Sequence, residues 1–187
     1  MTTKPVDRAA AVRRALRALV ARNGFHGTSM NAVAKQAGVA TGTAYTHYAS
    51  KDELVLATYR ETKAWLAAAV TAGLDTAAQA AERFRSAWVS IYRYFEAHPD
   101  HARFLLQVDN SPYREAAHHA AIADGDPLVD QMVLPDVASR LLPLPLEVHY
   151  ELGFAPAVRL ATAGIELTEE QLDEIATACW RAVCLPN

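Results

Sequence analysis

Within the eleven residues from Thr41 to Lys51 stand Thr43, Tyr45, Thr46, His47 and Lys51, whose side chains end in hydroxyl, imidazole or ammonium donors. Gly42 lets another backbone approach closely at the start of the same segment. Donors spaced along one edge in this way suit the oxygens of a phosphate backbone, and the free N–H groups of a helix start add to them. The segment offers no Arg, Asn or Gln, the side chains best shaped for bidentate contact with a base, so no base sequence follows from it. Other chemistries find less support. His98 with His101, and the pair His118 and His119, have no third ligand at metal spacing, so no metal is expected. Asp100 and Asp109 near them suggest hydrolysis, but without a nucleophile motif neither a catalytic residue nor a cofactor is expected. Cys179 and Cys184, five apart, would fall on different faces of a helix, which argues against a disulfide.

The donors act together only if a rigid helix carries them. Residues 6 to 22 set Ala9, Val12, Leu16, Leu19 and Val20 mostly at steps of three and four, an apolar stripe with arginines on the other side, and Asn23-Gly24 ends it. Thr28 reads as the N-cap of a short helix through Gln36 with Met30, Val33, Ala34 and Ala37 inward, and Gly38 stops it. A second short helix spans 41 to 48. At about 100° per residue, Ala44 and Tyr48 share a face with Thr41 and pack inward, while Gly42, Thr43, Tyr45 and Thr46 take the outward arc. Two short helices behind a third make a helix-turn-helix, whose second member can lie in a major groove. Ser50 and Glu53 form a capping box for a long helix from 51 to 72.

Further along, Asp75 and Thr76, with Gln79, open a helix whose Phe84, Trp88, Ile91 and Phe95 keep a regular stripe until His98-Pro99. A shorter helix covers 100 to 108. Helical character resumes at Tyr113, breaks near Gly125 to Pro127 and is strained at Pro135. Two last helices, 146 to 162 and 168 to 184, follow Pro143 and Pro145, the second with a Thr168 and Gln171 capping box and Leu172, Ile175, Cys179 and Val183 inward. With no period-two alternation the fold class is all-α: an N-terminal three-helix helix-turn-helix domain, 1–50, plus a C-terminal helical bundle, 51–187.

Charge divides along the chain. Residues 1 to 60 hold nine Lys or Arg against three acids, net +6, and the remaining 127 hold nine against eighteen, net −9. A basic head on an acidic body suits a protein that sets one end on polyphosphate. The acidic body favours a cationic or neutral small molecule over an anionic one. No window approaches the roughly 18 unbroken apolar residues of a membrane span, and the N-terminus lacks the apolar core of a secretory signal, so a cytoplasmic protein without a membrane partner is expected.

From Thr28 to Leu54 the words Ala-Gly-Val, Gly-Thr-x-Tyr, His-Tyr and Ser-Lys-x-Glu-Leu stand in a spacing that resembles the signature of the tetracycline-repressor (TetR/AcrR) family of transcriptional regulators. The resemblance implies that Thr28, Thr43, Tyr45, His47 and Lys51 contact phosphates or sugars, with Thr41 and Thr46 nearest the bases and Gly42 at the helix start. Ala40 stands where the family often has a serine cap, leaving those amides to Thr41 or water. The resemblance further implies a homodimer, its last two helices pairing with Trp180 at the seam or just beneath, that presents two reading helices about 34 to 36 Å apart to a pseudo-palindromic double-stranded DNA operator. A small-molecule effector of unidentified kind would release this repressor. Trp65, Trp88, Tyr92, Phe95, Phe104 and Tyr113 either line its cavity, as in the family's sensors, or form solid core. A DNA-binding module whose body docks a partner protein, with no internal ligand, is the alternative.

Overall fold

In the computed structural model, residues 7–123, 125 and 134–185 are described. Eleven helices are named among them: α1 (Arg8–Asn23), α2 (Met30–Ala37), α3 (Thr41–His47), α4 (Lys51–Ala72), α5 (Ala80–Ala97), α6 (Pro99–Asp109), α7 (Arg114–Ala123), α8 (Pro135–Ala138), α9 (Leu146–Gly153), α10 (Ala155–Ala163) and α11 (Glu169–Val183). No strand occurs among the described residues; Leu141 and Cys184 make one isolated antiparallel bridge. The chain divides into two compact units, residues 1–63 with 100–124, and residues 64–99 with 125–187. The 63/64 boundary falls inside α4.

In the first unit α1, α2 and α3 pack against one another. Val12, Leu16 and Val20 of α1, Val33 and Ala34 of α2, and Ala44 of α3 are almost wholly removed from water, the face that the apolar spacing predicts. Gly38 ends α2 at φ 70°, a left-handed conformation that needs glycine. The N-cap of α2 is one residue later than expected: the Ser29 hydroxyl accepts from the Ala32 N–H, whereas the Thr28 hydroxyl turns back to donate to the Gly24 carbonyl at 2.8 Å. The arginines of α1 also depart from a purely solvated face. Arg17 is buried, its Nε donating to Thr62 Oγ1 at 2.9 Å and its Nη2 meeting Glu61 at 2.5 Å, and Arg13 meets the same carboxylate at 2.8 Å. Position 61 supplies the counter-charge that makes that burial tolerable.

In the second unit α5 packs on α10 and α11, with α9 also against α11. Trp88, Ile91, Tyr92 and Phe95 of α5 form its sealed centre, and Phe84 stacks on Phe154 at 4.6 Å. Gln79, not Asp75 or Thr76, caps α5, paired with Glu82 in a capping box. Pro135 opens α8 at its first position, where a missing N–H costs nothing, instead of straining a helix. The expected helix over 146–162 is two, α9 and α10, meeting at Phe154. Pro156 causes the break, since its ring and absent N–H cannot continue the preceding ladder. The capping box of α11 forms as expected, although Ala176 is more deeply buried than Ile175. The break expected between Gly125 and Pro127 lies largely outside the described residues. Both cysteines are free thiols.

Candidate nucleic-acid interface

α3 is seven residues long, so its interior contacts must fix it. Ala44 is fully buried and Tyr48, just past its end, is 6% exposed. Arg13 donates to the Tyr48 hydroxyl at 2.5 Å, which ties the end of α3 to α1. With that face committed inward, Gly42, Tyr45, Thr46 and His47 are exposed and Thr43 is half-buried. The geometry thereby sorts α3 as its spacing predicts.

The remaining contacts show what each polar group is free to do. Thr46 donates to the Gly42 carbonyl at 3.0 Å, one turn back along α3. Thr41 donates to Asn31 Oδ1 at 2.9 Å, linking the two short helices, and Ala40 caps α3 without a side-chain bond. Thr41 therefore joins helix to helix and does not replace the missing cap. A Cβ added at Gly42 would meet nothing within 4 Å. The fold itself therefore does not require glycine there. Lys51 donates from Nζ to the Phe25 carbonyl at 2.8 Å and lies 5.8 Å from the centre of that ring. One of three ammonium donors is spent; two remain. Thr28 is 2% exposed, and its hydroxyl is engaged as described above. The structure thus brings Tyr45, Thr46 and His47, with half-buried Thr43, to the outer side of α3, whereas Thr28 is buried.

Two residues that the sequence did not single out, Phe25 and Asp52, join expected ones beside this surface. Ser50 and Glu53 form the expected reciprocal cap, except that Glu53 reaches the Ala49 N–H, at 2.7 Å. Phe25 lies 4.8 Å from the Tyr113 ring, and the Tyr113 hydroxyl donates to Asp52 at 2.7 Å. Burial, then the bond to Asp52 and its charge, push the Tyr113 phenol up to about 12. A Phe25–Tyr113 pairing could not be found from spacing, because the two are nearly ninety positions apart.

The six aromatic candidates divide between the two units. Phe104 and Tyr113 belong to the first unit; Trp65, Trp88, Tyr92 and Phe95 belong to the second. Trp88, Tyr92, Phe95 and Phe104 are sealed from water, while Trp65 is 42% exposed. Trp88 donates to the Gly153 carbonyl at 3.1 Å and Tyr92 to that of Ile165 at 2.6 Å, the polar satisfaction that buried aromatics need. Burial, followed by Glu96, pushes the Tyr92 phenol up. A cavity of about 630 Å³ in the second unit has other walls, including Arg85, Arg140, Trp180 and Arg181. Trp180 is 7% exposed. His118 Nε2 lies 2.9 Å from Asp109 Oδ1, and no group of three metal-binding side chains occurs among the described residues. No described helix is long and apolar enough to cross a membrane.

Comparison with known proteins gives this interface its context. Residues 12–58 match the bacterial regulatory proteins of the tetR family. Residues 80–184, more than half the chain, match the tetracyclin repressor-like C-terminal domain. An HTH-type transcriptional regulator of Haemophilus influenzae is 25% identical over 170 residues, 88% of this chain and 89% of its own. The HTH-type transcriptional repressor KstR2 of Mycobacterium tuberculosis is 30% identical over 94 residues, 50% of this chain and 46% of that protein. A crystal structure of a TetR-family transcriptional regulator from Haemophilus influenzae has a TM-score of 0.77 at 26% identity, with 96% of this chain and 97% of that one covered. Such proteins are DNA-binding transcriptional regulators, not enzymes. From its head through its helical body, the chain belongs to the TetR family.

Proposed function

We propose that the protein is a homodimeric repressor that holds a pseudo-palindromic operator through α3 and releases it when a small molecule binds the body. The observation that carries this reading is the sorting of α3: Ala44 and Tyr48 are buried while Tyr45, Thr46 and His47 stand exposed. The first unit carries twelve Lys or Arg against eight Asp or Glu, net +4, whereas the second carries six against thirteen, net −7. Opposite net charges favour a head that approaches phosphate and a body that avoids it. Thr43, Tyr45, His47 and the spare donors of Lys51 engage phosphates, Thr41 and Thr46 face the bases, and Thr28 supports the loop from below. A second copy covers the exposed apolar face of α9. Leu146, Val148 and Leu152 of α9 are 37–43% exposed, an apolar stretch that isologous pairing would bury.

The test uses DNA selected by the protein from a random pool, with affinity read by fluorescence anisotropy across a salt titration. Tyr45→Ala and Lys51→Ala should each weaken binding about fivefold or more, and Lys51→Ala should also reduce the salt slope by about one. Circular dichroism and sedimentation should show the fold and dimer unchanged. Wild-type affinity and salt slope in both variants would remove the assignment.

A further inference from the structure

The second unit has six arginines and no lysine, and three of those arginines, Arg85, Arg140 and Arg181, line its cavity. The walls are built from separated parts of the chain. Thr177, Arg181 and Cys184 follow one flank of α11 at steps of four and three, and α5 supplies Arg85. The bridge between Leu141 and Cys184, with the Leu185 N–H donating to the Arg140 carbonyl at 2.7 Å, fixes Arg140 beside them.

Ion pairing separates two of these cations from the others. Arg83 meets Asp136 at 2.6 Å, Arg159 meets Glu151 at 2.7 Å, Arg93 meets Glu169, and Arg85 meets Asp173 at 3.1 Å. Arg140 and Arg181 are exposed and have no carboxylate partner among the described residues. Acids outnumber arginines in this unit by thirteen to six, yet these two guanidiniums line one cavity without a carboxylate partner among the described residues. A planar guanidinium matches a carboxylate bidentately. Gln79 and Thr177 add polar groups to the lining, and its larger apolar members are Trp180, backed by Phe84 at 5.3 Å, and Leu185, 46% exposed. A volume of about 630 Å³ lies in the range of small-molecule sites.

We infer that this cavity binds an organic anion, an alkyl or aryl carboxylate whose head group meets Arg140 and Arg181 and whose hydrocarbon body lies on Trp180 and Leu185. That this ligand is the effector rests on the function proposed above. The acidic body misleads about its own cavity, because ligand preference follows the nearest unpaired charges and not the sum over the unit.

The experiment uses the full-length protein without DNA. Calorimetric titrations with phenylbutyrate, octanoate and their neutral amides should show the carboxylates binding roughly tenfold more tightly. Arg140→Gln with Arg181→Gln should abolish the preference while leaving the thermal transition unchanged. Alkylation of Cys184 by iodoacetamide, followed in a Cys179→Ser background, should slow when phenylbutyrate is present. Equal binding of acids and amides, or a preference that survives in the double variant, overturns the inference. So does a Cys184 already shielded in the free protein and indifferent to phenylbutyrate, which would make this face a seam between copies. Operator anisotropy with and without phenylbutyrate is scored separately. DNA binding that fails outright defeats the proposed function but not the cavity, and DNA binding that ignores a bound carboxylate defeats the effector role alone.

Discussion

The reading head and the helical body place their charges by opposite means. In the head, Arg13 and Arg17 are both turned onto the carboxylate of Glu61, while the hydroxyls of Tyr45 and Thr46 on α3 are turned outward. In the body, acids outnumber arginines by thirteen to six, and two arginines without a carboxylate partner among the described residues line one cavity. Net charge therefore indicates which end approaches a polyanion, a long-range property. It does not identify the contacts within either end, where distances of a few ångströms decide.

Truncating an aromatic in each region should break the comparison most visibly. Trp88 is sealed and hydrogen-bonded, so Trp88→Ala should cost about 3–5 kcal/mol in urea unfolding. Tyr45→Ala, at a half-exposed position, should change stability by less than about 0.5 kcal/mol and act on DNA affinity instead. A Trp88→Ala protein of undiminished stability would mean that this side chain borders open space, returning it to the set of effector contacts.

A smaller loss tests the shared carboxylate of the head. Glu61→Ala removes the carboxylate 2.5 Å from Arg17, whose side chain is 3% exposed, and should cost about 3 kcal/mol. Arg13 loses the same partner but is more accessible and keeps Tyr48. Stability should fall, therefore, mainly through Arg17. If Glu61→Ala proves neutral by urea unfolding, the two arginines act as free surface cations and belong with the phosphate contacts.

The contrast also explains what could be read from the sequence. The helix-turn-helix was legible because its determinants are local: Gly38, Ala44, Tyr48 and the Ser50 and Glu53 cap lie within one short stretch and obey helical spacing. The ends of α4 and the cap of α11 were legible for the same reason. Thr28 was mistaken for a cap because Ser29 beside it has the same hydroxyl chemistry, and only the fold of the Gly24 turn decides between them. The break at Phe154 was announced by Pro156 but hidden in an otherwise regular apolar pattern. The cavity was not legible, since its walls come from residues 79–85, 140 and 177–185, and no periodicity relates such distant segments. For the aromatic stripe of α5, spacing fixed the inward face but could not tell a filled core from a lined one.

The smallest expected effect concerns the support of Lys51, where a phenol replaces the ion pairing seen elsewhere in the head. Tyr113→Phe keeps the ring against Phe25 but removes the bond to Asp52, which lies on an exposed surface, so the loss near neutral pH should stay below about 1 kcal/mol. Its pH dependence is more telling. The folded phenol sits at about 12, above an unfolded value of about 10, so the neutral form is the one that folding favours. The contribution is fully present below about pH 10 and is lost as pH rises towards 12. An absorbance titration should show a late tyrosine ionisation that disappears in Tyr113→Phe, with that of Tyr92, also raised, persisting. Alkaline unfolding should be correspondingly shallower in the variant. Identical alkaline limbs would mean that Asp52 does not hold Tyr113 in solution, and that Phe25 alone positions Lys51.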